Sequence, residues 1–492
     1  MRKFLSDKGF QRALRAAAWS WLVAIGLGLA GCASLDATPP AETVAAAAAV
    51  SPSAPVNPER KRLIEAFGGE YSAPAVEHYL DDVLTRLANA SEQPSEPYRV
   101  TLLDSPIVNA FALPSGDIFL TRGLLALAND GAEVAAVMAH EIAHVTAHHA
   151  AQRAELERTA ALFTRVSNQV LDKPRLGEEE AARMKLSIAH FSRQQEFEAD
   201  KIGINVIAKA GFDPYAASRF LDSLGRWSAW RAQMIGLDAA DKPDMMATHP
   251  STPERIAAAV AQARQIAPPG VGETARNAYL SAIDGVPFGD NPAQGLALGR
   301  RFLHPKLGFA FGSPEGFALE NQSAALIGVG EQGSQALRLD SIEASDSTTL
   351  EGALASGWIE GVQTNSIETI KDADLPMAVA VAQGQQWSFR LGAIRLNGRI
   401  YRLIFADHSL TPAVDARFLA SIRSFHRITP GEIAEARPSR LQIVTAKDSD
   451  GPQTFADRMA VNPSPLDQFL ILNGLEKGAT TPAGERFKIV TR

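Results

Sequence analysis

Cysteine is almost missing from this chain: one in 492 residues, Cys32. That excludes an intramolecular disulfide and a thiolate-based zinc site. Long Lys/Arg runs are missing too, and the formal net charge is -7, which speaks against nucleic acid as a partner. No stretch after residue 31 is apolar for long enough to span a bilayer. No repeat of about 20–50 residues is evident. What is present is ordinary: 46% hydrophobic and 21% charged residues, with 37 Gly and 29 Pro. That composition rules out a collagen-like, coiled-coil or wholly disordered chain. The length suggests about three domains.

The first residues read as an address. Arg2, Lys3, Lys8, Arg12 and Arg15 precede an apolar run from Ala16 to about Ala30. A basic segment before a short apolar one is the pattern of a secretory leader, here residues 1–31. It ends in Leu29-Ala30-Gly31-Cys32, which resembles the bacterial lipobox. That resemblance implies cleavage before Cys32, a lipid on its thiol, and a membrane anchor. Losing the leader takes the formal net charge from -7 to -11, so the lipid and not electrostatics would hold the membrane. Ala33 follows the cysteine, which in Gram-negative lipoproteins implies export to the outer membrane, facing the periplasm. Residues 33–56 are rich in Ala, Pro, Ser and Thr and read as a disordered tether with a reach of roughly 25–30 Å.

The mature chain reads as α+β throughout. Residues 57–268 are mainly helical with a small sheet. Helices are expected from Arg60 to Phe67, Ala75 to Leu87, Ala132 to about Arg158, and Glu178 to Ala210. A strand is expected at Arg99–Leu103, and a hairpin turns at Pro114-Ser115-Gly116. Ser251 with Glu254 fits a capping box, and Pro253 a first-turn position, so a helix starts there. Residues 286–430 alternate strands, two of them flanking Asn397-Gly398, and end in a helix; they form an accessory α+β domain without a chemical signature. Residues 438–492 follow the order βααβ and resemble a LysM module, with the usual Gly-Asp-Thr replaced by Asp448-Ser449-Asp450-Gly451. The resemblance implies peptidoglycan binding through 441–490; a packing role alone is the other reading.

The chemistry lies in His140-Glu141-Ile142-Ala143-His144. Residues four apart share a helix face, so both imidazoles can reach one metal ion. Glu141 can hold the water that such an ion polarises. Zinc needs a third protein ligand and one open position. Ala147 and Ala150 stand where a metzincin needs Gly and His, which excludes that class. A carboxylate from a second helix is then expected. Glu196 and Asp200, four apart, share a face while Glu198 points away. Glu196 is assigned as the third ligand, and Asp200 as acceptor of the second N–H of a ligating histidine. His249 is ambiguous: it either serves only at a helix start, supports an oxyanion, or fills the open position and gates the site. His148 and His149 read as solvated or structural.

Paired with downstream Ser192-Arg193-x-x-Glu196-x-x-Ala199-Asp200, this motif resembles the HtpX-like, CAAX-prenyl-protease-type zinc metallopeptidases, which are gluzincins. Asn109 to Pro114, Thr121 to Leu125, and His249-Pro250 followed by Arg255-Ile256 match that family as well. The resemblance covers about 57–265. It implies one zinc per chain on His140, His144 and Glu196, with Glu141 as general base. It places Asn109 and Ala110 on a substrate-side edge strand. It is nearest to the periplasmic lipoprotein branch, which degrades misfolded or misassembled envelope proteins. That branch carries C-terminal helical repeats, and this chain has none. The alternative reading is a cell-wall-binding or chaperone-like lipoprotein with a latent or structural zinc site.

Overall fold

The computed structural model describes residues 58–153, 155, 193–234, 249, 251–330, 333–345 and 347–492. The leader, Cys32, the tether to residue 56, residues 178–192 of an expected helix, and Pro250 lie outside them. Among the described residues no helix is long and apolar enough to cross a membrane.

Helix Pro74–Ala90 forms where Val76, Leu80, Val83, Leu84 and Leu87 recur on one face, and all five are buried. Its Pro74 sits in the first turn, where a missing N–H costs nothing. A three-stranded sheet follows. Its central strand Asp117–Thr121 runs parallel to Arg99–Leu103 and antiparallel to Ala110–Ala112, which is left at an edge. Thr121 closes the central strand and caps helix Arg122–Leu127 by accepting the Leu124 N–H. Asp130 then caps helix Gly131–Thr146 by accepting the Glu133 N–H. That helix is alanine-rich and buried from Gly131 to Ala143, so neighbours approach its backbone closely. Helical residues 193–209 do so at Gly203, where a Cβ would lie 3.1 Å from the His140 backbone nitrogen. Helices Ala216–Met234 and Pro253–Ile266 complete this layer.

Two sequence expectations need correction here. The helix expected to run from Ala132 to about Arg158 stops at Thr146; His148 turns left-handed, with φ of 55°, before helical residues 149–153. No Gly or Pro marks that break, so helical propensity reads straight through it. The cap of the helix at Pro253 is Thr252, which accepts the Arg255 N–H, while Ser251 donates its hydroxyl to the Leu221 carbonyl.

Residues 296–427 build a seven-stranded antiparallel sheet and a four-stranded one. Strands Ser388–Leu396 and Arg399–Asp407 are joined by Asn397 and Gly398, both at positive φ, as a tight hairpin turn requires. Helix Pro412–Arg423 buries Phe418 and Ile422 against one sheet face, and Leu350–Ala355 covers another part. The C-terminal segment has strand Ser439–Thr445, helices Pro452–Ala456 and Pro465–Leu472, and strand Arg486–Thr491. Its two strands pair antiparallel, and Pro287–Phe288 adds a third. Leu441, Phe455, Phe469, Phe487 and Ile489 share one core with Leu125, Leu127, Val134, Met138 and Leu280. Lys488, fully buried, donates to the carbonyls of Ala126 and Ala128 at 2.8 and 2.6 Å, at the end of helix Arg122–Leu127.

Candidate active site

Helical spacing and the close crossing at Gly203 bring the two motifs together. His140 Nε2 lies 3.0 Å from His144 Nε2. Glu196 approaches both, with Oε2 at 3.4 Å from His140 Nε2 and Oε1 at 3.5 Å from His144 Nε2. His249 joins them: its Nδ1 is 3.2 Å from His140 Nε2 and 3.0 Å from Glu196 Oε2. These four residues offer donor atoms that all lie within 4.8 Å of one another. Glu141 is buried beside them, 3.8 Å from His249 Nε2.

A metal fits this set on chemical grounds. Three imidazole nitrogens and one carboxylate are zinc donors. With bonds of about 2.0–2.1 Å, tetrahedral ligand atoms sit roughly 3.3–3.4 Å apart. The five separations given above are 3.0 to 3.5 Å, and all four donors lie within 4.8 Å of one another. The outward nitrogens face partners: His140 Nδ1 lies 3.0 Å from Asp200 Oδ1, as an ion-pair contact without hydrogen-bond alignment, and His144 Nδ1 lies 2.8 Å from His149 Nδ1. Arg255 grips Asp200 with two bonds of 2.8 Å and reaches Glu196 Oε2 at 3.1 Å.

The field in the site follows from burial and these partners. Burial alone would lower His140, but Asp200 and Glu196 outweigh it and push it up to about 10. Burial, then the neighbouring His140 and His249, drive His144 well down. Burial would raise Glu196, yet His140 and His249 hold it far below the usual carboxylate range. Glu196 is thus an anion beside a protonated His140, and a divalent cation binding there would release that proton to free the imidazole.

Two clefts meet at Glu141 and His249. One is bounded by Phe111, Ala112, Pro114, His144, His148 and Arg153. The other is apolar, bounded by Ala136, Val137, Ala217, Phe220, Leu221 and Leu224. Strand Ala110–Ala112 borders both. The Leu113 N–H donates to the Asp117 carbonyl and the Thr121 N–H to the Asn109 carbonyl. Antiparallel alternation therefore turns the backbone of Ala110 and Ala112 away from the sheet. Asn109 itself is half-buried, and its N–H donates to the Thr121 hydroxyl.

The structure thus gathers His140, Glu141, His144, Glu196, Asp200 and His249 at one centre and sets Ala110 beside it. Sequence reasoning gave Arg255 no role beyond its place in the family match, and read His149 as solvated or structural. His149 lies five residues beyond His144, a spacing that faces away in an unbroken helix.

Comparison with known proteins agrees with this geometry. Peptidase family M48 matches residues 74–263. The beta-barrel assembly-enhancing protease of Escherichia coli (strain K12) is 29% identical over 42% of this chain and 43% of its own length. The putative beta-barrel assembly-enhancing protease of Vibrio cholerae is 31% identical over 40% of each chain. The mitochondrial metalloendopeptidase OMA1 of Arabidopsis thaliana is 36% identical over 32% of this chain and 30% of its own. The chain therefore spans less than half the length of these relatives. Among solved structures, the PsbP protein of Synechocystis sp. PCC 6803 aligns with 27% of this chain and 98% of its own at 12% identity and a TM-score of 0.22. Residues 74–263 match the family M48 peptidase model, and within them two histidines of helix Gly131–Thr146 meet Glu196, from helical residues 193–209, at one centre.

Proposed function

We propose that the chain is a zinc metalloendopeptidase of the bacterial cell envelope, acting on misfolded or misassembled envelope proteins. The observation that carries this reading is the convergence of His140, His144 and Glu196 beside Glu141, in a cleft bordered by an edge strand of the described sheet. His140, His144 and Glu196 would hold one zinc ion, which when bound polarises a water and the scissile carbonyl. Glu141 takes the water's proton and passes it to the leaving amine. The outward backbone of Ala110 and Ala112 pairs with an extended peptide through main-chain bonds, so unfolded chains of varied sequence are accepted. The Escherichia coli relative's name points to β-barrel proteins under assembly as one substrate class.

His249 is the gate in this reading. Its Nδ1 completes a four-donor set, and a catalytic site must keep one position open. Withdrawing His249 admits water and substrate. His249→Ala is expected to raise turnover; a lower turnover would assign it to oxyanion support instead.

Family type and address belong to the same proposal. The enzyme is of the HtpX-like, CAAX-prenyl-protease kind. A lipid on Cys32 anchors it, at the outer membrane facing the periplasm. Residues 441–490, in βααβ order, contact peptidoglycan as a LysM-like module. A purely wall-binding or chaperone-like role with a structural metal is not favoured, because a structural site needs no Glu141.

Unfolded casein tests the activity. The full chain is expected to cut it, to stop when the metal is chelated, and to resume when zinc is returned. Intact casein in the presence of zinc-loaded chain would remove the general-peptidase reading.

A further inference from the structure

The metal centre's outward contacts are unequal. His140 is held by a carboxylate, Asp200, at 3.0 Å. His144 is held by another imidazole, His149, whose Nδ1 lies 2.8 Å from His144 Nδ1. His149 is 1% exposed, so this contact is sheltered from water. Its other nitrogen faces Glu198 Oε2 at 3.6 Å, and Glu198 lies on the helix that carries Glu196.

The contact exists only because the helix breaks. Five residues along an unbroken helix turn a side chain about 140° round the axis, away from His144. The left-handed His148 redirects the chain and folds His149 back. The turn is clamped from the Glu196 helix. Gln195, also buried, donates to the His149 carbonyl at 3.2 Å and accepts from Arg153 Nε at 2.9 Å.

We propose that His149 is a positioning residue of the metal centre: its Nδ1 accepts the Nδ1–H of His144, fixing the tautomer that leaves His144 Nε2 free to bind the ion. The protons allow one arrangement. If His149 Nδ1 donated instead, His144 would carry its proton on Nε2 and could not ligate. With His149 Nδ1 accepting, its own proton sits on Nε2, which lies 3.6 Å from Glu198 Oε2 and has no hydrogen-bond partner among the described residues. His149 thereby links the two helices that supply the ligands. This inference rests on the metallopeptidase reading.

The test is zinc affinity of the full chain, measured by competition with a chromogenic chelator. His149→Phe fills the space without an acceptor and is expected to weaken zinc binding about 10–100-fold. His149→Asn sets an amide oxygen near the place of Nδ1 and is expected to stay within about threefold of the wild type. His149→Gln, whose amide reaches past that place, should behave like His149→Phe. The unfolding midpoints of the metal-free variants should match one another. Equal affinity in His149→Phe and wild type would overturn the proposal, and so would equal losses in His149→Asn and His149→Phe, which would mean packing alone. A wild type that takes up no zinc would refute both this inference and the reading beneath it. A wild type that binds zinc but cuts nothing would overturn that reading and leave His149 to be judged by affinity.

Discussion

Asp200 orients His140, and Arg255 in turn orients Asp200 through two bonds of 2.8 Å while touching Glu196. Burial would raise the Asp200 carboxyl, but Arg255 and His140 hold it below its usual range. Arg255→Met takes the guanidinium from two buried carboxylates and leaves them to histidine partners, an expected loss of up to about 3–5 kcal/mol in denaturant unfolding. Asp200→Asn should weaken zinc binding by about 10–100-fold. Asp200 was legible in the sequence, because its spacing from Glu196 fixes a shared face. The role of Arg255 was not, because its partner Asp200 lies 55 residues away in the chain and a family match does not say what the side chain touches. Buried Lys488 allows a pH test. Burial lowers it to about 7 from 10.5. Between those values the unfolded chain holds a proton that the folded chain lacks, so this residue makes stability rise with pH across that window. The unfolding midpoint of Lys488→Met, compared with the wild type at both ends of the window, should lack that rise.

At the scale of elements, the proposed peptidase reading has a substrate lie along the edge strand and in the apolar cleft. Ala112→Pro removes an outward N–H and spares the ladder to Asp117–Thr121. It is expected to lower kcat/KM for peptides with little change in unfolding midpoint. The cleft between helices Gly131–Thr146 and Ala216–Met234 is walled by Ala136, Val137, Ala217, Phe220, Leu221 and Leu224. Those six side chains offer a charged group no hydrogen bond, so an apolar side chain packs against them at less desolvation cost. Mass spectrometry of casein fragments should therefore show apolar residues enriched at one position beside the cut, and an even distribution would contradict that. Strands with clean boundaries were readable: Arg99–Leu103 and the hairpin at Asn397-Gly398 lie where turn chemistry and alternation put them. The break after Thr146 was hidden, because a left-handed non-glycine is held by tertiary contacts such as those of Gln195.

At the scale of the whole molecule, the C-terminal βααβ segment belongs to the peptidase core. Phe469 stacks on Phe455 at 5.3 Å and packs with Phe487, within the core that also holds Leu125 and Met138. Phe469→Ala is expected to cost about 3–5 kcal/mol and to lower the zinc-site unfolding midpoint with the rest. Independent unfolding of the two parts in calorimetry would contradict that. The order of this segment was visible in the sequence, since each strand and helix has its own local pattern. Its partner surface was not, because an apolar face does not say what it packs on. The central claim is a zinc peptidase centre with Glu141 as its base. The most direct measurement takes wild type and Glu141→Gln, determines zinc in each, and follows casein cleavage by the same samples. One zinc per chain in both, with cleavage in the wild type alone, is the expected result. Cleavage surviving in Glu141→Gln, or a wild type without zinc, would contradict it.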